Sequence, residues 1–146
     1  MRISTRGRYG LRALVDMALN NPTEVTTLRS IAENQKISES YLEQVFTSLR
    51  KAGLVIAIRG AQGGYKLGRP ADQISVSEIL NSLEGPIAPV HCVGIVAVQQ
   101  CEREDYCITR SFWEELNKVI NDFLEATTLQ DLVDKAKTTD KKRKDR

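Results

Sequence analysis

The chain is short of the groups from which most enzymes build their sites. Its 146 residues hold one histidine and three cysteines, and all four fall between His91 and Cys107. There is no nucleophile–base pair, no phosphate-binding loop and no pair of histidines at helical spacing, and GAQGG (60–64) alone is a weak glycine signal. An enzyme is therefore not expected. No apolar run approaches the ~20 residues that cross a bilayer, so no membrane partner is expected either. The basic start, MRISTRGRYG, lacks the apolar stretch of a secretory signal. An odd number of thiols cannot complete a secreted disulfide framework. A cytoplasmic location is the expectation that these absences leave.

What is present suffices for one domain of ordinary size with an appended helix, since 41% of the residues are hydrophobic. The charge is lopsided. Residues 1–70 carry eleven Lys and Arg against five Asp and Glu, a balance of +6, whereas residues 71–146 carry ten against fourteen, a balance of −4. The acidic half nevertheless ends in a basic tail, KKRKDR (141–146). A basic front and an acidic back suggest a nucleic-acid-facing module joined to something else.

Apolar spacing divides the front half. Leu11, Leu14, Val15, Ala18 and Leu19 recur at helical intervals between Thr5 and Asn20. Thr27 can cap a short helix, LRSIAENQ, and a tight turn at 36–38 follows. A third helix runs over 38–53 with Leu42, Val45, Phe46 and Leu49 as its stripe. Either Ser38 or the Ser40–Glu43 capping-box spacing marks its start, and Gly53 its end. Residues 54–70 read as a β-hairpin with a Gly-rich tip carrying Arg59, and 74–85 as a short helix. This order is that of a winged helix-turn-helix, so the expected fold is mainly α with a small β-hairpin wing, plus a long dimerisation helix.

The physics of that front half suits double-stranded DNA. Ser40 and Gln44 lie opposite the apolar stripe, where they reach base edges in a major groove. Arg59, on a tip without bulk, suits a narrow minor groove. Arg2, Arg6, Arg8, Arg50 and Lys51 are candidates for phosphate contacts, which position without specifying.

The back half divides at its prolines. Pro86 and Pro89 open a non-helical stretch that leads to Cys92, Cys101 and Cys107, and a cluster-binding loop is assigned to 86–110. Residues 111–137 are helical for most of their length, with Leu116, Val119, Ile120 and Phe123 in one apolar stripe. That stripe exceeds what one small domain needs, and burial against a second copy in an antiparallel homodimer is the economical solution. Residues 138–146 are expected to be disordered. The DNA-binding module accordingly spans 1–85.

The stretches MRISTRGRYGLRALVDMAL, ISESYLEQVFTSLRKAGLV and IRGAQGGYKLGRP, with the spaced cysteines, ITRSFWEELN and TTLQDLV, closely resemble the IscR/NsrR-type family of bacterial iron–sulfur transcription regulators. The resemblance covers roughly residues 1–134 and is closest to IscR-like members. It implies a homodimeric winged-helix regulator with Ser38, Ser40, Tyr41, Glu43 and Gln44 on recognition-helix positions and Arg59 on the wing. It further implies that the acidic side chain at Glu43 helps decide which operator is accepted. Glutamate accepts from a cytosine amine but repels phosphate.

Three thiolates on one loop can wrap a small iron–sulfur cluster, and the resemblance implies a [2Fe–2S] centre. Three inert core cysteines, a structural zinc site completed by His91, and a redox-sensing disulfide are the alternatives. The fourth ligand departs from the family pattern. IscR-like members have a histidine where this chain has Arg110, and NsrR-like members use a carboxylate where it has Arg8. His91, Glu102, Glu104, Asp105 or an external ligand are the candidates, His91 being chemically best although it adjoins Cys92. An incomplete ligand set makes for a labile cluster, which suits a sensor of iron–sulfur or redox status that controls cluster-biogenesis genes. The rival readings are a cluster-free regulator of sulfur or cysteine metabolism, answering to a partner enzyme or to thiol oxidation, and a nitric-oxide-sensing repressor.

Overall fold

The structure, a computed structural model, describes residues 1–94 and 101–144. Its elements are α1 (Thr5–Asn20), α2 (Leu28–Gln35), α3 (Glu39–Lys51), β1 (Val55–Ile58), β2 (Gly64–Leu67), a single 3-10 turn (Ala71–Gln73), α4 (Val76–Glu84), α5 (Arg110–Ala126) and α6 (Leu129–Lys144). This is the expected mainly helical fold with a two-stranded antiparallel wing.

Local chemistry sets the helix boundaries. Ser4, Thr27 and Ser38 are extended and accept the N–H of Gly7, Ser30 and Tyr41, so α1, α2 and α3 each start on a hydroxyl cap. Ser38 is thus the cap of α3, and Ser40 lies two residues on, within the first turn. Between α2 and α3, Lys36 takes a left-handed conformation at φ 55°, which turns the chain within two residues. Ser75 and Glu78 form a complete capping box on α4.

The core lies between α1, α3 and the wing. Leu14, Met17, Ile31, Leu42, Phe46, Leu49, Leu54 and Ile74 are all fully buried or nearly so. Gly10 lets α1 meet two helices at once. A Cβ there would lie 2.3 Å from Leu83 Cδ1 on α4 and 3.1 Å from Val45 Cγ1 on α3. The wing is fastened at its base, where Thr26 and Tyr65 exchange backbone hydrogen bonds of 2.7 and 2.8 Å. The Tyr65 ring meets Phe46 edge-on at 5.0 Å.

The C-terminal half differs from the expected division. The long helix breaks at Thr127–Thr128, and α6 turns back to pack along α1, placing Leu129 and Val133 in the main core. Two backbone hydrogen bonds of 2.8 Å hold the break: Leu129 N–H to the Ile74 carbonyl, and Val76 N–H to the Thr127 carbonyl. Thr128 then caps α6, accepting from Asp131 N–H while Asp131 accepts from Thr128 N–H. Residues after 128 thus share the core of the winged module.

Residues 138–144, expected to be disordered, are drawn into α6. The helix continues to Lys144, and residues 145–146 lie outside those described. Lys and Ala are good helix formers, the basic residues sit at the negative end of the helix dipole, and the anchored first turns supply the nucleus. Leu129→Ala should lower the stability of the whole winged module by about 2–5 kcal/mol in chemical denaturation, a cost that a separate dimerisation segment would not transmit.

Candidate nucleic-acid interface and thiol loop

The outer face of α3 is available. Ser38, Ser40, Glu43 and Gln44 are exposed, and the Ser38 and Ser40 hydroxyls lie 3.5 Å apart. Tyr41 differs from these. It is half-buried, and its ring stands edge-on to Tyr9 at 5.9 Å, so it spends much of its surface on fixing α3 against α1. Thr47 is exposed, but its hydroxyl donates back to the Glu43 carbonyl at 2.8 Å. Arg59 is exposed where β1 ends, and Gly60, at φ 109°, makes the tip turn behind it.

The candidate phosphate contacts separate into two kinds. Arg2, Arg8, Arg50 and Lys51 are exposed. Arg6 is half-buried and donates through Nη2 to Ser48 Oγ on α3, so it is a pin between α1 and the recognition helix. A second pin went unread in the sequence. Buried Asp16 on α1 accepts from Asn34 and Gln35 at the end of α2, at 3.3 and 2.8 Å, while Arg12 donates to the Gln35 carbonyl at 2.5 Å. The available signal was a carboxylate set among the apolar residues of α1.

The thiol loop is held at its start. Ile87 is buried against Val76 and Leu80, its carbonyl accepts from Asn121 of α5 at 3.1 Å, and the Met1 ammonium donates to the Pro89 carbonyl at 3.4 Å. Cys92, next to buried Val93, is half-buried, as is Cys107 just before α5, whereas Cys101 is exposed. Residues 95–100, which lie between the first two cysteines, are outside those described.

Cys107 has a local cause for thiolate character. Its sulfur lies 3.5 Å from the Thr109 hydroxyl, whose hydrogen bond is the main influence holding the thiol below its usual range. The backbone N–H groups of Thr109 and Arg110 and the Arg110 charge act in the same direction. Arg110 stands within electrostatic reach of Cys92 as well as Cys107, and makes ion pairs with Glu104 at 3.2 Å and Glu114 at 2.9 Å. His91 is exposed and lines a different concavity, with Met1, Arg2 and Pro89.

Among the described residues no three His, Cys, Asp or Glu side chains stand close enough together to hold a metal ion. The donor chemistry nonetheless fits an iron–sulfur core. Three soft thiols share one loop anchored at its start, and the Arg110 cation near Cys107 suits an anionic centre.

Among the described residues no helix is long and apolar enough to cross a membrane. The family model for Rrf2, described as an iron-dependent transcriptional regulator, matches residues 3–135. The HTH-type transcriptional regulator IscR of Cronobacter sakazakii is 39% identical over 140 residues, covering 96% of this chain and 85% of that one. Two solved structures are similar in fold and sequence. CymR, the global cysteine regulator of B. subtilis, matches with a TM-score of 0.79 and 41% identity over 92% of this chain and 97% of its own. IscR of T. potens matches with a TM-score of 0.74 and 40% identity over 93% and 88%. With a capped recognition helix, a wing and relatives that are regulators and not enzymes, the chain belongs to the Rrf2 family of winged helix-turn-helix transcriptional regulators.

Proposed function

We propose that this protein is a homodimeric DNA-binding regulator that senses iron–sulfur or redox status through a labile [2Fe–2S] cluster and controls genes of cluster biogenesis. The observation that carries the reading is the thiol loop itself. Its three cysteines lie on a segment tied through Pro89 to the first residue of the chain and through Ile87 to α5. Cys92, Cys101 and Cys107 would hold the cluster, which supplies a redox-active and oxygen-labile group. A group that binds two conformations of the loop unequally must shift their populations, and operator choice with them.

Ser40, Glu43 and Gln44 read bases in the major groove, Arg59 enters the minor groove, and Arg2, Arg8, Arg50 and Lys51 supply phosphate contacts. The dimer forms through α5. Phe112, Val119 and Phe123 are 55%, 60% and 64% exposed, and with Leu116 they follow a four-three-four spacing that makes a continuous seam. Ile120 is not on that face, because it packs with Leu124 against Val76, Leu80 and Ile87 of its own protomer.

A second reading is a cluster-free regulator of cysteine metabolism that responds to thiol oxidation. The likeness to CymR and the thiolate character of Cys107 favour it. Anaerobic purification followed by iron, sulfide and UV–visible analysis separates the two: iron and sulfide in equal amounts support the cluster, and their absence supports the thiol reading.

Gln44→Ala and Ser40→Ala should relax base preference, and Arg59→Ala should weaken binding, each by ~1–3 kcal/mol in titrations at one fixed salt concentration. Unchanged preference in the Gln44 variant would remove that residue from direct readout. Phe123→Asp or Val119→Glu should convert the dimer to monomer in sedimentation, since an unpaired charge at the seam costs on the order of several kcal/mol. Each single cysteine-to-alanine variant should lose the visible absorption of the cluster while the apo protein keeps its melting transition, because the core does not use these side chains.

A further inference from the structure

The wing carries a second side chain suited to reading DNA. We propose that Gln62, at the apex of the wing, reads the guanine amine of a G·C pair in the minor groove. The inference rests on the DNA-binding reading above and extends it beyond Arg59.

The tip is built to present this side chain. The Gly63 N–H donates to the Gly60 carbonyl at 3.0 Å, which closes a four-residue turn with Ala61 and Gln62 as its central pair. Neither of them takes a positive φ, as in a type I turn, and both are exposed. The chain then returns tightly. A Cβ at Gly63 would stand 2.3 Å from the Ile58 carbonyl oxygen, and one at Gly64 would stand 2.4 Å from that of Thr26. A side chain has no room on the return, so Ala61 and Gln62 occupy the apex. The base below them is fixed to the recognition helix, because Tyr65 pairs with Thr26 through the backbone and sets its ring on Phe46 of α3. The apex is therefore held in a set position relative to α3.

Donor and acceptor chemistry then separates the tip residues. Arg59, Ala61 and Gln62 are the exposed side chains there. Arginine has five donors and no acceptor, and alanine has neither. Arg59 suits the N3 and O2 acceptors that A·T pairs show in the minor groove, and it cannot accept from a base. A G·C pair adds one donor to that groove, the guanine N2 amine. Of the three side chains, Gln62 is the one with an acceptor, and its amide NH2 remains to donate to a neighbouring base acceptor. The half-site that fits this tip has A·T pairs under Arg59, where the groove is narrow, bordered by a G·C pair under Gln62.

The test uses the full chain and a duplex that it selects from a randomised pool. Each guanine of that duplex is replaced in turn by inosine, which removes the minor-groove amine and leaves the major-groove edge read by α3 unchanged. At one fixed salt concentration, inosine at one guanine of each half-site should weaken parental binding about 5–100-fold, the size of one good base contact. Gln62→Met keeps the side-chain volume but makes no such hydrogen bond. It should bind the guanine and inosine duplexes equally and keep the parental melting transition. Equal parental affinity for both duplexes at every guanine, or a guanine preference that survives in Gln62→Met, would overturn the assignment and leave DNA binding intact. A parent chain that selects no sequence from the pool would overturn the DNA-binding reading as well.

Discussion

At the start of α4 the chain crosses the junction of α5 and α6, and the backbones there exchange hydrogen bonds. Ile74 and Val76 on one side pair with Leu129 and Thr127 on the other, both at 2.8 Å. Everything after residue 85 depends on this crossing. It breaks one long amphipathic segment in two, sends Leu129 and Val133 into the main core, and fixes the angle at which α5 leaves it. Because α5 is fixed at its C-terminal end, its inner residues Ile120 and Leu124 settle on Val76, Leu80 and Ile87, and its other face stays exposed. Both ends of the thiol loop are located by the same event, one leaving α4 and the other entering α5.

The N-terminus connects that loop with the recognition helix. The Met1 ammonium meets the Pro89 carbonyl, and the Ser4 N–H and hydroxyl both donate to Glu84 at the end of α4. Within the first turn of α1, Arg6 reaches Ser48 on α3, and one turn further Tyr9 packs against Tyr41. These contacts join the start of the loop to the first residues of α1 and, through Arg6 and Tyr9, to α3. On the proposed function, this chain of contacts would let cluster occupancy bias operator choice; its hydrogen bonds each involve a charged group, and its last member is the ring contact of Tyr9 with Tyr41.

The basic front half serves two purposes that charge counting alone does not separate. Arg6 and Arg12 are spent on holding α1 to α3 and α2, and Arg69 pairs with Glu78 at the α4 cap. Arg2, Arg8, Arg50, Lys51 and Arg59 are exposed. Internal pins make the helix-turn-helix rigid, and the exposed cations provide the field that attracts a polyanion.

The sequence by itself determined the helices and wing of the front half, because each is set by signals within a few residues: hydroxyl caps at Ser4, Thr27 and Ser38, apolar stripes at helical spacing, and a Gly-rich tip. It also determined the outward residues of α3, since a helix with one apolar stripe has only one way to face a core. The three cysteines were equally legible, being all the thiols the chain has. Tertiary structure alone decided the rest. The stripe of α5 contains two faces, and only the contact with α4 assigns Ile120 to the inside and leaves Val119 and Phe123 outside. The sparse apolar residues of α6 gave no local reason for its first turns to join the main core, and only the fold places Leu129 and Val133 there. Arg6, Arg12 and Asp16 look like solvated charge in sequence, and their partners lie 18 to 42 residues away. Local signals fix local geometry, and a side chain whose partner is remote in sequence takes its role from the fold that brings the two together.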